Sequence, residues 1–86
     1  MIFYKSGDGS TKEKAIFVLG ASNETEGIDA EYHWLEEKYS KQNIGWELVD
    51  QQLIDEGDKQ YDILRIKFRS GDVKEFWFDI TSFYGK

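Results

Sequence analysis

The fold is decided by residues 61–81, which read YDILRIKFRSGDVKEFWFDIT. Apolar residues alternate with charged or polar residues through both halves of this stretch. A period of two is typical of β-strands with one buried face, whereas an amphipathic helix repeats every three to four residues. We therefore predict two antiparallel strands that share one core face. The core-facing residues are Leu64, Ile66, Phe68, Phe76, Phe78 and Ile80.

The predicted connection between these two strands is centred on Gly71. A three-residue loop with this glycine in the left-handed region would pair Arg69 with Val73. In that register, Arg65 faces Trp77 on the outer side of the sheet. A two-residue loop would pair core residues with solvent residues, so the alternation argues against it.

Three further segments have the composition of strands. Residues 15–19 form a continuous apolar run, which predicts an interior strand covered on both faces. Residues 46–54 alternate imperfectly, and either a β-bulge or a two-sided environment would explain this. Residues 2–4 are a candidate for an extra edge strand at the N-terminus.

A helix is predicted to follow Asn23 or Thr25, because either side chain can cap a helix N-terminus. Its apolar stripe at helical spacing consists of Ile28, Tyr32, Leu35 and Tyr39. Trp34 lies off this stripe and is expected to pack in the core. The acidic residues expected to face water are Asp29, Glu31, Glu36 and Glu37.

The predicted fold class is α+β. It has two layers, with one helix packed on a mostly antiparallel four-stranded sheet in the order β-α-β-β-β. The candidate edge strand would add to these four. Residues 1–86 are expected to form a single domain, since the chain is short and has no linker or repeat.

The composition limits which partners the protein can bind and where in the cell we expect it. The net charge is −6, with 17 acidic against 11 basic residues, which disfavours binding to nucleic acid or to an anionic membrane. The absence of cysteine excludes disulfides and thiolate metal sites. No apolar run approaches the ~18 residues of a membrane span, and the first residues lack a signal-peptide core. We expect a bacterial protein of the cytoplasm.

The outer face of the sheet is the predicted functional surface, because a single helix covers only the other face. An exposed tryptophan and tyrosine beside arginine have the composition of a protein interface, and an arginine above the tryptophan ring would offer a cation–π contact. Three interpretations stay open: a surface for another protein, a homodimer of two such faces, and cross-strand pairing with a purely structural role. The predicted partner-binding residues are Arg65, Lys67, Trp77, Glu75, Tyr61 and Ile63.

Other residue groups indicate chemistry only weakly. Asp29, His33 and Glu37 share a helix face, but zinc sites usually depend on several histidine or cysteine ligands. The chain has a single histidine, and no serine lies in a motif typical of a nucleophile that this histidine could activate. The glycine-rich residues 7–12 lack the Walker spacing and precede a predicted strand rather than a helix. We therefore predict no catalytic residue, no metal site and no cofactor.

Several short segments occur in a characteristic order: GDGS at 7–10, AI at 15–16, GIDAE at 27–31, Trp46, YD at 61–62 and FDITSFYGK at 78–86. In this order they resemble a group of small bacterial conserved hypothetical proteins, over nearly the whole chain. The most distinctive part is the C-terminal segment 78–86. The resemblance implies no particular activity.

Three functional hypotheses follow. The first is a non-enzymatic protein–protein interaction module, by analogy with the small acidic immunity and inhibitor proteins of bacterial toxin systems. The alternative is an inhibitor whose acidic helix imitates the charge of nucleic acid against a DNA-binding enzyme. The acids that motivate it are Glu24, Glu26, Asp29, Glu31, Glu36 and Glu37. The third is a small ligand-binding or hydrolytic domain.

Overall fold

The computed structural model describes residues 1–86 as one five-stranded sheet and one long helix. In chain order the elements are β1 (Phe3–Lys5), β2 (Ile16–Leu19), α1 (Glu24–Lys38), a 3₁₀ turn (Ser40–Gln42), β3 (Trp46–Asp55), β4 (Gln60–Phe68) and β5 (Val73–Asp79). The spatial order of the strands is β1-β2-β5-β4-β3. Every neighbouring pair is antiparallel except β2 and β5, which are parallel. The predicted α+β class is confirmed, and the candidate edge strand β1 makes the fifth strand.

The hairpin between β4 and β5 begins one residue earlier than predicted. Gly71 has a φ of +100°, in the left-handed region as expected. However, the N–H of Phe68 donates to the carbonyl of Asp72 at 2.8 Å, which leaves residues 69–71 as the loop. Three-residue hairpin loops commonly place their left-handed residue last, and Gly71 holds that position here.

The earlier loop shifts the pairing between β4 and β5 by two residues. Val73 lies opposite Lys67, so the predicted pairing with Arg69 is wrong. Trp77 lies opposite Ile63 and not opposite the predicted arginine. Because the shift is an even number, every side chain keeps its predicted face of the sheet.

The uneven alternation of β3 comes from a β-bulge, which is one of the two predicted explanations. The pairing with β4 shifts between Leu48 and Asp50, so that Val49 has no register partner. After the bulge, Gln51 lies opposite the core residue Leu64. The bulge therefore keeps two halves of an irregular strand in one continuous sheet.

α1 is capped by Asn23, one of the two predicted candidates, whose Oδ1 accepts a hydrogen bond from the N–H of Glu26 at 2.9 Å. Its buried face is rotated away from the predicted stripe, and Ile28 is exposed. The buried residues of α1 itself are Gly27, Ala30, Glu31 and Leu35. No helix in the structure has both the length and the apolar character needed to cross a membrane.

Small residues explain the rotation of α1. The ring of Phe83 fills the space that a side chain at Gly27 would need. One turn later, the Tyr4 hydroxyl donates to the carbonyl of Ala30 at 2.7 Å. This close approach carries Glu31 inward, so its predicted water-facing position is wrong.

The core lies between α1 and the helix-facing side of the sheet. Its ten buried residues are Ile16, Val18, Ala30, Leu35, Leu64, Ile66, Phe76, Phe78, Ile80 and Phe83. The ring of Trp34 packs against two of them, with centroids 5.6 Å from Phe76 and 5.8 Å from Phe78. The core role predicted for Trp34 is therefore confirmed.

Candidate functional site

A row of charged side chains crosses the outer face of the sheet, on the side away from α1. Arg65 on β4 lies opposite Asp50 on β3 and Glu75 on β5. Its Nη1 and Nη2 atoms contact the two carboxylates at 3.2 and 3.1 Å. All three side chains are roughly half exposed, so each ion pair contributes at most ~1 kcal/mol to stability.

Trp77 lies in the next row of the outer face. Its ring packs edge-on against the ring of Tyr61, with centroids 5.8 Å apart, and the residue is partly exposed. The predicted cation–π contact with Arg65 does not form. The shifted hairpin register places Ile63 opposite Trp77 and leaves Arg65 between two carboxylates.

The segment between β1 and β2 covers part of this outer face. The carbonyl of Gly9 accepts a hydrogen bond from the N–H of Trp77 at 2.7 Å. Further along, the Lys12 ammonium lies 5.9 Å from the centroid of the Tyr61 ring and forms an ion pair with Glu56. These contacts hold the segment against β5 and against the turn between β3 and β4.

The predicted docking surface is smaller than expected. Tyr61 and Ile63 are each only 7% exposed, so the expectation that they are accessible is wrong. The other four predicted partner-binding residues reach the surface: Arg65, Lys67, Glu75 and Trp77. Their role in binding a partner stays a prediction.

One edge of the sheet is long and free. β3 has ten residues and pairs on one side only, whereas β1 at the opposite edge has three. Edge strands are usually protected by shortness, proline, charged side chains or bulges. β3 is long and has no proline or lysine, and its protection consists of the bulge and of Glu47, Asp50 and Asp55. Its exposed apolar residues are Leu48, Val49 and Leu53, at 36%, 49% and 49% exposure.

The helix carries the residues considered for a metal site. His33 Nε2 lies 3.5 Å from Glu37 Oε1, and both side chains are largely exposed. Lys41 lies 2.7 Å from Glu37, and this hydrogen-bonded contact holds the pKa of the carboxyl below its ordinary value. No three histidine, aspartate or glutamate side chains are arranged to hold a metal ion.

A second cluster lies on the opposite side of the sheet, where Glu31 of α1 and Asp62 of β4 meet. They are 1% and 3% exposed. Gln51 Nε2 donates to both carboxylate oxygens of Asp62, at 3.0 and 2.8 Å. No group donates to either oxygen of Glu31. Burial above all, and then the neighbouring Asp62 carboxylate, raise the pKa of Glu31 to about 10, so Glu31 is protonated at neutral pH.

Sequence reasoning missed this carboxyl pair. Asp62 had a readable signal, because it shares the core-facing alternation of Leu64 and Ile66 along β4. Glu31 had none, because the apolar stripe assigned to the helix placed it toward water. Only the observed rotation of α1 brings the two carboxyls together.

Comparisons with protein-family models, with curated proteins and with solved structures found no match to this chain. The resemblance to small bacterial hypothetical proteins therefore stays a prediction. A functional assignment depends on the geometry of the two surfaces described above.

Proposed function

We propose that this chain is a non-enzymatic protein-binding module of the bacterial cytoplasm. Its partner protein binds along the free edge of β3 and extends onto the adjoining outer face. The observation that carries this proposal is the unpaired ten-residue edge, with Leu48 and Val49 exposed on it. The net charge of −6 supports a role like that of small acidic immunity or inhibitor proteins.

Strand addition explains how such an edge binds. A partner strand would lie about 4.8 Å from β3 and take up its free backbone N–H and C=O groups. On the outer face, its side chains would meet Asp50 and Gln52, which lie opposite Arg65 and Ile63. Main-chain hydrogen bonds would supply affinity, and these side chains would supply specificity.

The outer face beyond β3 extends this surface toward β5. Lys67 and Glu75 are exposed, and Trp77 is partly exposed. A partly exposed tryptophan among charged side chains is the kind of residue that dominates binding energy at protein interfaces. Trp77 therefore belongs to the proposed contact even though its neighbours Tyr61 and Ile63 are covered.

The alternative of nucleic-acid imitation receives less support from the structure. Of the six acids that motivated it, Glu31 is buried beneath α1. A second, Glu37, forms an ion pair with Lys41. The helix therefore presents a smaller acidic face than the sequence predicted.

A photo-crosslinking experiment tests the docking edge while the identity of the partner is still open. A benzophenone amino acid would replace Val49 on β3, and, as the matched control, Phe3 on the opposite edge strand β1. Both residues are apolar and about half exposed. After irradiation in bacterial cells, we expect one defined adduct from position 49 and none from position 3. An adduct of twice the chain mass of 10.1 kDa identifies a second copy as the partner.

Binding of the identified partner then provides the quantitative test. Val49→Lys places a charge on the free edge and is expected to weaken binding strongly, while Phe3→Lys leaves it unchanged. Trp77→Ala is also expected to weaken binding. Binding by the unmodified chain should depend little on salt concentration. The proposal is wrong if position 49 gives no adduct, or if Val49→Lys and Phe3→Lys bind the partner equally well.

A further inference from the structure

The carboxyl pair of Glu31 and Asp62 lines a cavity of about 130 Å³ between α1, β3, β4 and the C-terminal residues. The polar end of the cavity is formed by these carboxyls with Gln51. Apolar side chains also line it, with the exposed Ile28 and Leu53 and the buried Phe83 and Ile80, and Glu24 and Tyr84 complete the lining. The cavity thus combines carboxyl groups with hydrocarbon surface.

No cation of this chain neutralises the pair. Neither Glu31 nor Asp62 takes part in an ion pair, and no donor reaches the oxygens of Glu31. The other buried carboxylate, Asp79, shows the usual arrangement, because Lys59 lies 3.4 Å from it. Buried charges are normally paired, so two adjacent buried carboxyls without a cation are unusual.

We propose that this cavity binds a primary ammonium group carried on an alkyl chain. The ammonium would lie between the carboxyls of Glu31 and Asp62, and the alkyl chain would pack between Ile28 and Leu53. Such a group occurs on a free alkylamine and on the lysine side chain of a protein or peptide. This site shares Leu53 with the docking edge proposed above, but it needs no contact along the free backbone of β3 and is tested without the partner protein.

Size and chemistry both fit this ligand. The cavity has room for more than one water molecule, so an ammonium group and the adjoining part of a short alkyl chain can enter it. An ammonium group donates three hydrogen bonds, and the two carboxyls offer four oxygens to accept them. A neutral alcohol of the same length would leave the second carboxyl without a positive partner.

On binding, the ammonium group takes the place of the proton on Glu31. In the free protein Glu31 holds a proton, because its pKa is about 10. The incoming ammonium favours the ionised carboxylate, so binding releases that proton to the buffer while the ammonium keeps its own three. The affinity is therefore expected to rise with pH from neutrality until the free amine itself loses its charge near its ordinary pKa of about 10.4.

The other titratable groups around Glu31 are few and carry no positive charge. They are Asp62 on β4, Glu24 on α1 and Tyr84 after β5, which line the cavity, and Tyr4 on β1. The charge of Glu31 contributes to the raised pKa of Tyr4, after burial and the charge of Glu37. Protonation of a base therefore cannot account for a pH dependence of binding at this site.

Calorimetric titration of the purified chain with butylammonium chloride tests the proposal. At about pH 8, in two buffers of different ionisation enthalpy, we expect saturable binding with release of about one proton per ligand. n-Butanol is the neutral control and is expected not to bind. Nα-acetyl-lysine methylamide replaces butylammonium in a second arm: binding of both probes indicates a site open to protein lysines, and binding of butylammonium alone indicates a free-amine site.

Two variants and one matched control locate the site. Glu31→Gln and Asp62→Asn are each expected to weaken butylammonium binding by roughly 30-fold or more, because each removes one carboxylate of the pair. Glu36→Gln, on the exposed side of the same helix, is expected to bind like the unmodified chain. Amide NMR spectra check that each variant is folded. Absence of saturable binding, equal binding of butanol, or full binding by both folded carboxyl variants would overturn the proposal.

Discussion

The ring of Phe83 lies directly against the backbone of Gly27, in the space that any side chain at that position would occupy. Phe83 belongs to the segment after β5 and is fully buried. The neighbouring Ser82 hydroxyl donates to the carbonyl of Val18 at 2.8 Å and fixes this segment to β2. The contact of Phe83 with Gly27 therefore ties α1 to the end of the chain and sets how the helix is rotated on the sheet.

Gly27→Ala is expected to destabilise the protein by up to about 2 kcal/mol. Overpacking against Phe83 costs about 1–3 kcal/mol, and the better helix propensity of alanine returns only about 1 kcal/mol. Urea unfolding followed by tryptophan fluorescence measures the difference.

The variant Phe83→Leu provides the control, because leucine leaves room where the ring lay. In that background Gly27→Ala is expected to lose less stability than in the unmodified chain. An equal loss in both backgrounds would show that the ring is not what excludes a side chain at this position.

Glu31 should make the stability of the chain fall as pH rises above about 5. Its pKa is raised from 4.5 in the unfolded chain to about 10 in the folded one. A raised pKa of an acid means that the folded state holds the proton more tightly than the unfolded state does. The stabilisation that protonated Glu31 provides is therefore complete below the unfolded pKa and is lost as the pH rises toward the folded pKa. From pH 5 to 7 the loss amounts to about 2–3 kcal/mol.

Glu31→Gln removes this titration while keeping the shape of the protonated side chain. Relative to the unmodified chain, its free energy of unfolding is expected to gain about 2–3 kcal/mol between pH 5 and 7. Glu36→Gln, exposed on the same helix, should follow the unmodified chain. Parallel stability curves for Glu31→Gln and the unmodified chain would contradict protonation of Glu31 in the folded state.

Phe78→Ala and Trp77→Ala are expected to differ sharply, although the two residues are adjacent. Phe78 is completely buried against the helix layer, and its truncation should destabilise the protein by about 3–5 kcal/mol. Trp77 is only partly covered on the outer face, so Trp77→Ala should cost less than half as much. Equal losses in thermal or urea unfolding would mean that the outer face is a second core and not a docking surface.

Asn23→Ala is expected to destabilise the protein by about 1 kcal/mol. The substitution removes the side-chain oxygen that accepts the N–H of Glu26 at the start of α1. Asn23→Ser keeps an oxygen acceptor at the same place and should retain most of the stability. A loss in the serine variant as large as in the alanine variant would argue against the capping role.

Much of the fold could be predicted from residues 61–81, because the alternation of apolar with polar residues along a strand is a local property. Whether Leu64 and Phe78 face the core depends only on their position in the pleat, so both faces were predicted correctly even though the hairpin register was not. The register depends on which residue of a three-residue loop takes the left-handed conformation, and a single glycine leaves neighbouring choices open. For this reason the predicted cross-strand pairing of Arg65 with Trp77 was wrong, although both residues lie on the predicted face of the sheet.

The amino-acid sequence by itself determined the strands, the buried faces of β4 and β5 and the α+β class, and it limited the cap of α1 to Asn23 or Thr25, since hydrophobic periodicity and capping act between near neighbours. Tertiary structure alone decided that β3 is a free edge, that Lys12 lies over Tyr61, and that Glu31 lies against Asp62. These outcomes depend on which surfaces fit together across the whole molecule. The clearest case is the contact of Gly27 with Phe83, because a side chain missing from the helix set its rotation and so buried a carboxyl that the helical pattern had placed in water.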